Sequence, residues 1–209
     1  MHPSIGLLVA YVAGSFPSAY LAGRLMKGID LRTVGSGNLG ATNVLRTLGA
    51  PAAVVVLLLD ALKGGLPVYG LPRLLDVGAA GSHGALWWAL AYGFAAIAGH
   101  ARPIFLLWKG GGKGVATAAG VFAALVPGAL ASTVVIFAVV VAASGYVSLG
   151  SLVAAVVLPV LVWLDRGVSP VFDASVITAV FIAWSHRANI QRLRAGTESS
   201  IRRNKGTPE

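Results

Sequence analysis

The sequence predicts an all-α integral membrane protein with about seven transmembrane helices, two of them short. Three observations lead to this fold class: 56% of the 209 residues are apolar, only 11% are charged, and the apolar residues fall in long runs. A soluble domain carries about 25% charged residues. The length predicts a single polytopic membrane domain over residues 1–209, with a short basic tail at about 187–209.

The apolar runs define the candidate spans, because one crossing takes about 20 apolar residues. The candidates are 4–26, 51–72, 84–107, 114–143, 146–164 and 171–185. The fourth is too long for one crossing and contains Pro127 followed by glycine, so we expect a break that gives 114–126 and 128–143. A re-entrant pair at this place fits the sequence equally well. The first run lacks a basic segment before it, so we expect a retained helix rather than a signal peptide.

The distribution of basic residues predicts the topology. Thirteen of the sixteen Lys and Arg lie in three segments: Arg24, Lys27, Arg32 and Arg46; Arg102, Lys109 and Lys113; Arg187, Arg192, Arg194, Arg202, Arg203 and Lys205. Basic loops stay in the cytoplasm. Seven crossings place all three segments there, with the N-terminus outside and the C-terminus inside.

The net charge of +9 has the same explanation, so we expect no nucleic-acid partner. The last three cations of the tail, Arg202, Arg203 and Lys205, are expected to contact anionic lipid headgroups.

The first polar segment is GSGNLGATNVLRTLG, residues 35–49. Its small residues allow the backbone to approach a ligand closely. Ser36, Asn38 and Asn43 supply hydroxyl and amide groups, and Arg46 offers a guanidinium fork that suits phosphate. A loop that only turns the chain explains the composition about as well.

The second polar segment is GHARPIFLLWKGGGKGVAT, residues 99–117. Consecutive glycine amides can point at one oxyanion, and a helix that begins near Gly114 adds its positive end. Lys113 is followed by glycine rather than Ser or Thr, so the segment is not a nucleotide-binding P-loop. The alternative is a glycine hinge between two snorkelling lysines. The predicted phosphate contacts here are His100, Lys109, Gly110, Gly111, Gly112 and Lys113.

The third polar segment is SHRANIQRLRAGTESSIRR, residues 185–203. In a helix, His186 and Asn189 lie on one face because they are three residues apart. Arg194 and Glu198 follow them. A basic tail that binds anionic lipid is the alternative explanation.

Asp60 and Lys63 lie inside an apolar span, in LLLDALKGG. Ionisable groups in a membrane helix are costly and are usually paired or functional. Their spacing of three predicts an ion pair.

The three polar segments contain the stretches SGNLGATNVLR, GHARPIF, KGGGKGVAT and HRANIQRL, the last followed by GTE. Together these stretches resemble the signature segments of the acyl-phosphate-dependent glycerol-3-phosphate acyltransferases, the PlsY family. LDALKG also resembles that family. The resemblance implies an enzyme of the bacterial inner membrane that moves a fatty acyl group from acyl phosphate to the 1-hydroxyl of glycerol 3-phosphate. Its products are lysophosphatidic acid and phosphate. The family lacks a His-x4-Asp motif, and this chain has Trp88, Phe105 and Gln191 five residues after His83, His100 and His186.

One departure from the family concerns the glycines. The family usually reads K-G-G-K-G, whereas this chain reads K-G-G-G-K-G. The extra glycine shifts Lys109 relative to Lys113, so the sequence leaves open which lysine keeps the family's place.

The resemblance also implies roles for the candidate residues. Glycerol 3-phosphate and the reacting centre are expected to lie among Ser36, Arg46, Lys113, His186 and Asn189. Lys109 and the three glycines are expected to hold the donor's phosphoryl group. The further predicted phosphate contacts are Asn38, Asn43, His100, Arg194 and Glu198.

The expected partners are glycerol 3-phosphate, acyl phosphate and the lipid bilayer, with a handover from the enzyme that makes acyl phosphate. No metal or cofactor is expected, and the active site is expected on the cytoplasmic face. Two alternatives stay open: a transporter or channel for a small organic phosphate, and a phosphate-sensing scaffold without chemistry. The proton acceptor is either His186 or the substrate's own phosphate.

Overall fold

The computed structural model describes residues 2–78 and 82–202. These residues form ten α-helices: α1 (Ser4–Gly14), α2 (Ser18–Lys27), α3 (Ala41–Leu48), α4 (Ala50–Leu74), α5 (His83–Ala101), α6 (Val115–Leu125), α7 (Pro127–Ser144), α8 (Val147–Arg166), α9 (Pro170–Ser185) and α10 (Arg187–Arg194). The chain divides into two compact units, residues 1–125 and residues 126–209. Arg203 and Lys205, predicted to contact lipid, lie outside the described residues.

Seven apolar stretches correspond to the predicted spans. Five are long and apolar enough to cross a membrane: Ser4–Lys27, Ala50–Leu74, His83–Leu106, Pro127–Ser144 and Val147–Arg166. Two shorter apolar helices are Val115–Leu125 and Pro170–Ser185. The predicted break before Pro127 is confirmed, because α6 ends at Leu125 and α7 begins at Pro127. The expectation that α7 is short was wrong, since proline is well tolerated in a first helical turn and α7 continues for 18 residues.

Close backbone contacts hold the helices of the first unit together. In this unit α1 packs on α5, and α4 packs on α5 and α6. A Cβ atom added at Gly120 of α6 would overlap the carbonyl oxygen of Ala61, and one at Gly64 of α4 would overlap that of Thr117. Small residues at such contacts let membrane helices approach to backbone distance.

The first span is interrupted, contrary to the prediction of one helix over 4–26. α1 ends at Gly14 and α2 begins at Ser18. Pro17 lies in the break, where its missing N–H and its ring disfavour a continuous helix. By contrast, Pro67 and Pro72 lie inside α4.

The polar segment that follows the first span contains a helix rather than only a loop. Residues 41–48 form α3, and Val44 on its buried face joins an apolar cluster. The buried members of this cluster are Ala19, Leu31, Leu39, Val44, Ala52, Ala53 and Val56. Leu31 and Leu39 belong to the loop at 28–40, so the cluster anchors that loop against α2 and α4.

The second unit is built from α7, α8 and α9, which are joined by turns of two and three residues, and α10 follows them in the chain. Short turns make successive helices antiparallel neighbours. The chain after α10 returns to the α7–α8 turn, where the Ile201 amide donates to the Gly145 carbonyl oxygen at 2.9 Å and the Arg202 guanidinium donates to the Ala143 carbonyl oxygen at 3.1 Å. Thr133 is the one buried residue of α7, whose other side chains suit a lipid surround.

Candidate functional site

An ion pair organises the loop at 28–40 and ties it to the glycine-rich loop. Arg32 contacts the Asp30 carboxylate through Nη2 at 2.6 Å and Nε at 3.0 Å. Its Nη1 donates to the carbonyl oxygen of Lys109 at 3.1 Å. Hydrogen bonds from Arg32 lower the pKa of Asp30 to about 2, and the carboxylate in turn raises the pKa of Arg32. Both groups therefore stay charged at neutral pH.

Backbone hydrogen bonds complete the junction of the first two polar segments. The Leu39 amide donates to the Gly111 carbonyl oxygen at 3.4 Å, and the Gly112 amide donates to the His100 carbonyl oxygen at 3.2 Å. The structure thus brings two of the three predicted segments together within the first unit. Because the Gly112 amide has a protein partner, it does not contribute to the predicted row of amides around an oxyanion.

Glycine is required in the K-G-G-G-K-G segment for two different reasons, backbone conformation and close packing. Gly110 has a φ of 84°, in the left-handed region that L side chains rarely adopt. At Gly112, a Cβ atom would overlap the His100 ring and lie 2.9 Å from the Leu39 carbonyl oxygen. The glycines therefore serve to fit this loop between His100 and Leu39.

Two aromatic side chains fasten the start of the glycine-rich loop. The Trp108 indole Nε1 donates to the Tyr11 hydroxyl at 2.8 Å, and that hydroxyl donates to the Arg102 carbonyl oxygen at 2.7 Å. The chain of bonds ties the loop to α1 just ahead of Lys109.

The two lysines of the segment have different surroundings. Lys109 is exposed, and its backbone carbonyl is held by Arg32. Lys113 is half-buried and stands immediately before α6, whose first intrahelical bond runs from the Ala118 amide to the Gly114 carbonyl oxygen at 2.8 Å. Lys113 therefore lies beside the positive end of a helix, as an anion site requires.

Asn43 organises the turn that carries Ser36. Its Oδ1 accepts from the Ser36 amide at 3.0 Å, and its Nδ2 donates to the carbonyl oxygens of Leu31 and Val34, each at 3.1 Å. Asn43 is fully buried, whereas the Ser36 residue is exposed. Asn38 is half-buried in the same loop, and Arg46 is half-buried in the last turn of α3. The predicted contact residues of this segment thus include one, Asn43, that holds the loop from inside.

Glu198 is the centre of a buried polar network in the second unit. Its Oε1 accepts from the Ser148 hydroxyl at 2.7 Å and from the Asn189 amide at 2.6 Å, and its Oε2 accepts from Arg192 Nε at 2.7 Å. Burial raises the pKa of Glu198, but these hydrogen bonds together outweigh burial and lower it below its ordinary value. The network fixes which way the Asn189 amide points.

His186 occupies the junction between α9 and α10, and both His186 and Asn189 are buried. The His186 Nδ1 lies 2.9 Å from the carbonyl oxygen of Ile182. A carbonyl oxygen only accepts, so Nδ1 carries the proton of this hydrogen bond. Arg194 is exposed at the end of α10.

The pKa of Glu198 predicts an acid-sensitive second unit. A lowered folded-state pKa adds stability that is complete above the unfolded value of 4.5 and is lost as pH falls through the folded value. We expect the melting temperature to drop below that pH in the wild type and much less in Glu198→Gln, which is neutral throughout. Thermal unfolding from about pH 7 to about pH 3 measures this, and equal pH profiles for both proteins would contradict it.

The predicted pairing of Asp60 with Lys63 is confirmed, with Nζ 2.7 Å from Oδ1. Sequence reasoning missed Ser18, Asp30 and Ser148, which hold charged partners in place. Of these, Asp30 had a visible signal, because a carboxylate two residues before Arg32 in a glycine-flanked loop suggests a local pair. Among the described residues, no group of three His, Asp or Glu side chains is placed to hold a metal.

Comparison with known proteins identifies relatives of this chain. A family model described as glycerol-3-phosphate acyltransferase matches residues 4–196. A glycerol-3-phosphate acyltransferase of Synechococcus sp. (strain CC9902) is 46% identical over 195 residues, 93% of each chain. Another, from Trichlorobacter lovleyi, is 43% identical over 201 residues, 92% of this chain and 94% of the other.

Two crystal structures of PlsY (YgiH), described as an integral membrane glycerol 3-phosphate acyltransferase, have a similar fold. The glycerol 3-phosphate form has a TM-score of 0.86 and 33% identity, over 95% of both chains. The lysophosphatidic acid form has a TM-score of 0.82 and 31% identity, over 95% of this chain and 94% of the other. The chain belongs to the glycerol-3-phosphate acyltransferase family.

Proposed function

We propose that the protein transfers a fatty acyl group from acyl phosphate to the 1-hydroxyl of glycerol 3-phosphate, giving lysophosphatidic acid and inorganic phosphate. The observation that carries the proposal is the junction of the first two signature segments. Arg32 holds the Lys109 carbonyl oxygen and Leu39 holds that of Gly111, so the Ser36 loop and the glycine-rich loop form one surface. In the third segment, Glu198 holds the Asn189 amide and the Ile182 carbonyl oxygen holds the His186 ring.

The donor explains why the protein needs no nucleophile of its own. Acyl phosphate is a mixed anhydride, so the substrate hydroxyl oxygen attacks the acyl carbon directly and the bond from that carbon to the phosphate oxygen breaks. Each phosphate carries about −1.5 to −2 charges at neutral pH. The protein has to bring two such anions together and offset their repulsion.

We assign the contacts with the substrates to the residues that the sequence predicts. Around glycerol 3-phosphate and the reacting atoms we place Ser36, Arg46, Lys113, His186 and Asn189. The donor's phosphoryl group is assigned to Lys109, Gly110 and Gly111, with Gly112 shaping the loop beside them, while Asn38 and Arg194 add polar and positive groups. Asn43 and Glu198 act through the residues that they hold, Ser36 and Asn189 respectively.

The proton of the attacking hydroxyl is assigned to the substrate's own phosphate. Its second pKa is near 6, so the dianion is abundant at neutral pH and can accept the proton. His186 then orients glycerol 3-phosphate by accepting a hydrogen bond at Nε2, the nitrogen opposite the one bonded to Ile182. The same nitrogen would act in the alternative in which His186 is the general base.

Replacing His186 with Gln separates these two roles. Loss of one oriented hydrogen bond from a substrate hydroxyl is worth about 0.5 to 1.5 kcal/mol, so we expect the KM for glycerol 3-phosphate to rise by up to about tenfold with most of kcat retained. Loss of a general base would instead reduce kcat by about 100-fold or more with substrate binding intact. Steady-state kinetics with both substrates varied distinguish the two results.

The identity of the acyl donor is tested by comparing two activated acyl compounds. Purified protein in lipid nanodiscs is supplied with glycerol 3-phosphate and with either acyl phosphate or an acyl thioester of the same chain length. We expect lysophosphatidic acid only from acyl phosphate, because the proposed donor site binds the phosphoryl group. Equal turnover with the thioester would overturn the assignment of the donor.

We also propose seven crossings, an outside N-terminus and a cytoplasmic active site in a bacterial inner membrane. In the first unit, the loops that follow the first and third spans contact each other, which supports their placement on one face. In the second unit, the chain after α10 contacts the α7–α8 turn, as alternating crossings require. The acyl-phosphate-producing enzyme would then deliver the donor from the cytoplasm.

Introduced cysteines test this topology, because the chain contains no native cysteine. Thr33 and Val168 are both exposed, in the loop after α2 and in the turn between α8 and α9. In intact cells, a membrane-impermeant maleimide should label Val168→Cys, and it should label Thr33→Cys only after permeabilisation. The reverse pattern would contradict the proposed orientation.

A further inference from the structure

A buried charge cluster lies in the first unit and is not used by the proposed reaction. The side chains of Asp60 and Lys63 on α4 are only 2% and 8% exposed, and their ion pair is 2.7 Å long. Ser18 donates its hydroxyl to Asp60 Oδ1 at 2.5 Å. A buried ion pair is weak evidence for stability, because well-packed apolar side chains are often at least as stable in its place. The cluster therefore calls for a role beyond stability.

One side of the cluster holds the break in the first span. The Lys63 ammonium donates to the carbonyl oxygen of Phe16 at 2.8 Å. Phe16 precedes Pro17, and Ser18, bound to Asp60, is the first residue of α2. Both charged side chains of α4 thus form hydrogen bonds with residues at the interruption between α1 and α2.

The other side of the cluster reaches the glycine-rich loop through His100. The imidazole Nδ1 lies 3.7 Å from Asp60 Oδ1. The Nε2 edge of the same ring packs against Gly112, so closely that a Cβ atom there would overlap it. The His100 carbonyl oxygen also accepts the Gly112 amide at 3.2 Å. His100 therefore separates the charges from the loop and touches both.

The space between the cluster and the loop is small. A cavity of about 10 Å³ is bordered by Pro17, Ser18, Lys63, His100, Gly111 and Gly112, among others. This volume holds about one water molecule. Movement of the charged side chains would therefore be transmitted to the loop rather than absorbed by empty space.

We propose that Ser18, Asp60, Lys63 and His100 form a positioning cluster, which sets the place of Gly111 and Gly112 and thereby the affinity for the phosphate substrates. The inference rests on the proposed function, because its consequence is read as substrate affinity. None of the four residues has to touch a substrate. The sequence predicted His100 as a phosphate contact, and the cluster gives it a role through Gly112 instead.

The test uses the full-length protein in nanodiscs and two variants. The double variant Asp60→Asn with Lys63→Met removes both charges, so no unpaired buried charge remains. His100→Ala removes the ring that separates cluster and loop. The matched control is Asp165→Asn, which breaks an exposed pair with Arg166 at the end of α8. Hydrogen exchange is measured on peptides from the glycine-rich loop and from α8, together with steady-state kinetics in which acyl phosphate is varied.

We expect both variants to exchange faster at the amides of residues 110–112 and to keep the wild-type rate in α8. We expect the KM for acyl phosphate to rise about tenfold or more, with a smaller change in kcat, because two of these glycines are assigned to the donor's phosphoryl group. Combining the two variants should add little to either alone, because both act through the same contact. Asp165→Asn should change neither measurement.

Two results would overturn the inference: wild-type exchange and KM in the double variant, or exchange raised equally in the loop and in α8. If Asp60→Asn with Lys63→Met does not fold, His100→Ala decides alone by the same criteria. Hydrogen exchange requires no turnover. If the wild type transfers no acyl group but the amides of residues 110–112 exchange faster in the variants, the proposed function is rejected and the positioning role is retained.

Discussion

Lys113→Ala is expected to reduce kcat/KM by about 100-fold or more, while Lys109→Ala changes it by less than about fivefold. Lys113 is half-buried and adjoins the start of α6, so solvent screens its charge less than it screens the charge of the exposed Lys109. Lys109 is exposed, and Arg32 binds its backbone carbonyl oxygen rather than its side chain. Of the two lysines around the extra glycine, Lys113 therefore has the surroundings of a catalytic cation.

Steady-state kinetics on the two variants, with melting temperatures to exclude misfolding, measure the difference. Lys113→Arg serves as a charge-preserving control and should recover part of the activity, because the guanidinium keeps the charge with another shape. An equal loss of kcat/KM in Lys109→Ala and Lys113→Ala would mean that both lysines contribute alike. It would contradict the conclusion that the half-buried Lys113 contributes more than the exposed Lys109.

Gly112→Ala is expected to reduce kcat/KM by at least about tenfold, because a displaced phosphate site loses its alignment with the reacting atoms. The added methyl group would meet the His100 ring on one side and the Leu39 carbonyl oxygen on the other. Neither neighbour moves easily, since the ring is buried and the carbonyl belongs to the backbone. The loop itself has to shift.

Gly70→Ala is the matched control for this substitution. Gly70 lies in α4, and a Cβ atom added there meets no atom within 4 Å. Alanine is also the better helix former, so this variant should be as stable and active as the wild type or slightly more stable. Wild-type kinetics in Gly112→Ala would show that the loop tolerates displacement, and would contradict the role given to its packing.

The apolar spans could be predicted because lipid imposes a length and a composition on them. The break before Pro127 followed from an apolar run too long for one crossing. The break at Pro17 could not be predicted in the same way, since Pro67 and Pro159 lie inside helices of the same protein. What distinguishes Pro17 is a contact from another helix, Lys63 on the Phe16 carbonyl oxygen.

The sequence indicates which polar side chains each segment offers, but not the direction in which each of them points. Asn43 and Ser36 belong to one polar segment, yet Asn43 points inward and accepts the Ser36 amide. Glu198 stood among predicted phosphate contacts, yet both its oxygens accept hydrogen bonds from protein groups. A carboxylate in a basic segment suggests a partner cation, but the sequence does not say that Asn189 is the group it positions.

The proposed reaction requires that two phosphorylated substrates react directly with each other on this protein. The measurement that tests it is the yield of both products from purified protein in sealed vesicles, supplied with acyl phosphate and glycerol 3-phosphate. We expect lysophosphatidic acid and inorganic phosphate in equal amounts, and neither product when one substrate is left out. Uptake of glycerol 3-phosphate into the vesicles without phosphate release would contradict it and indicate a transporter. Binding of glycerol 3-phosphate with no dependence on the acyl donor would contradict it as well.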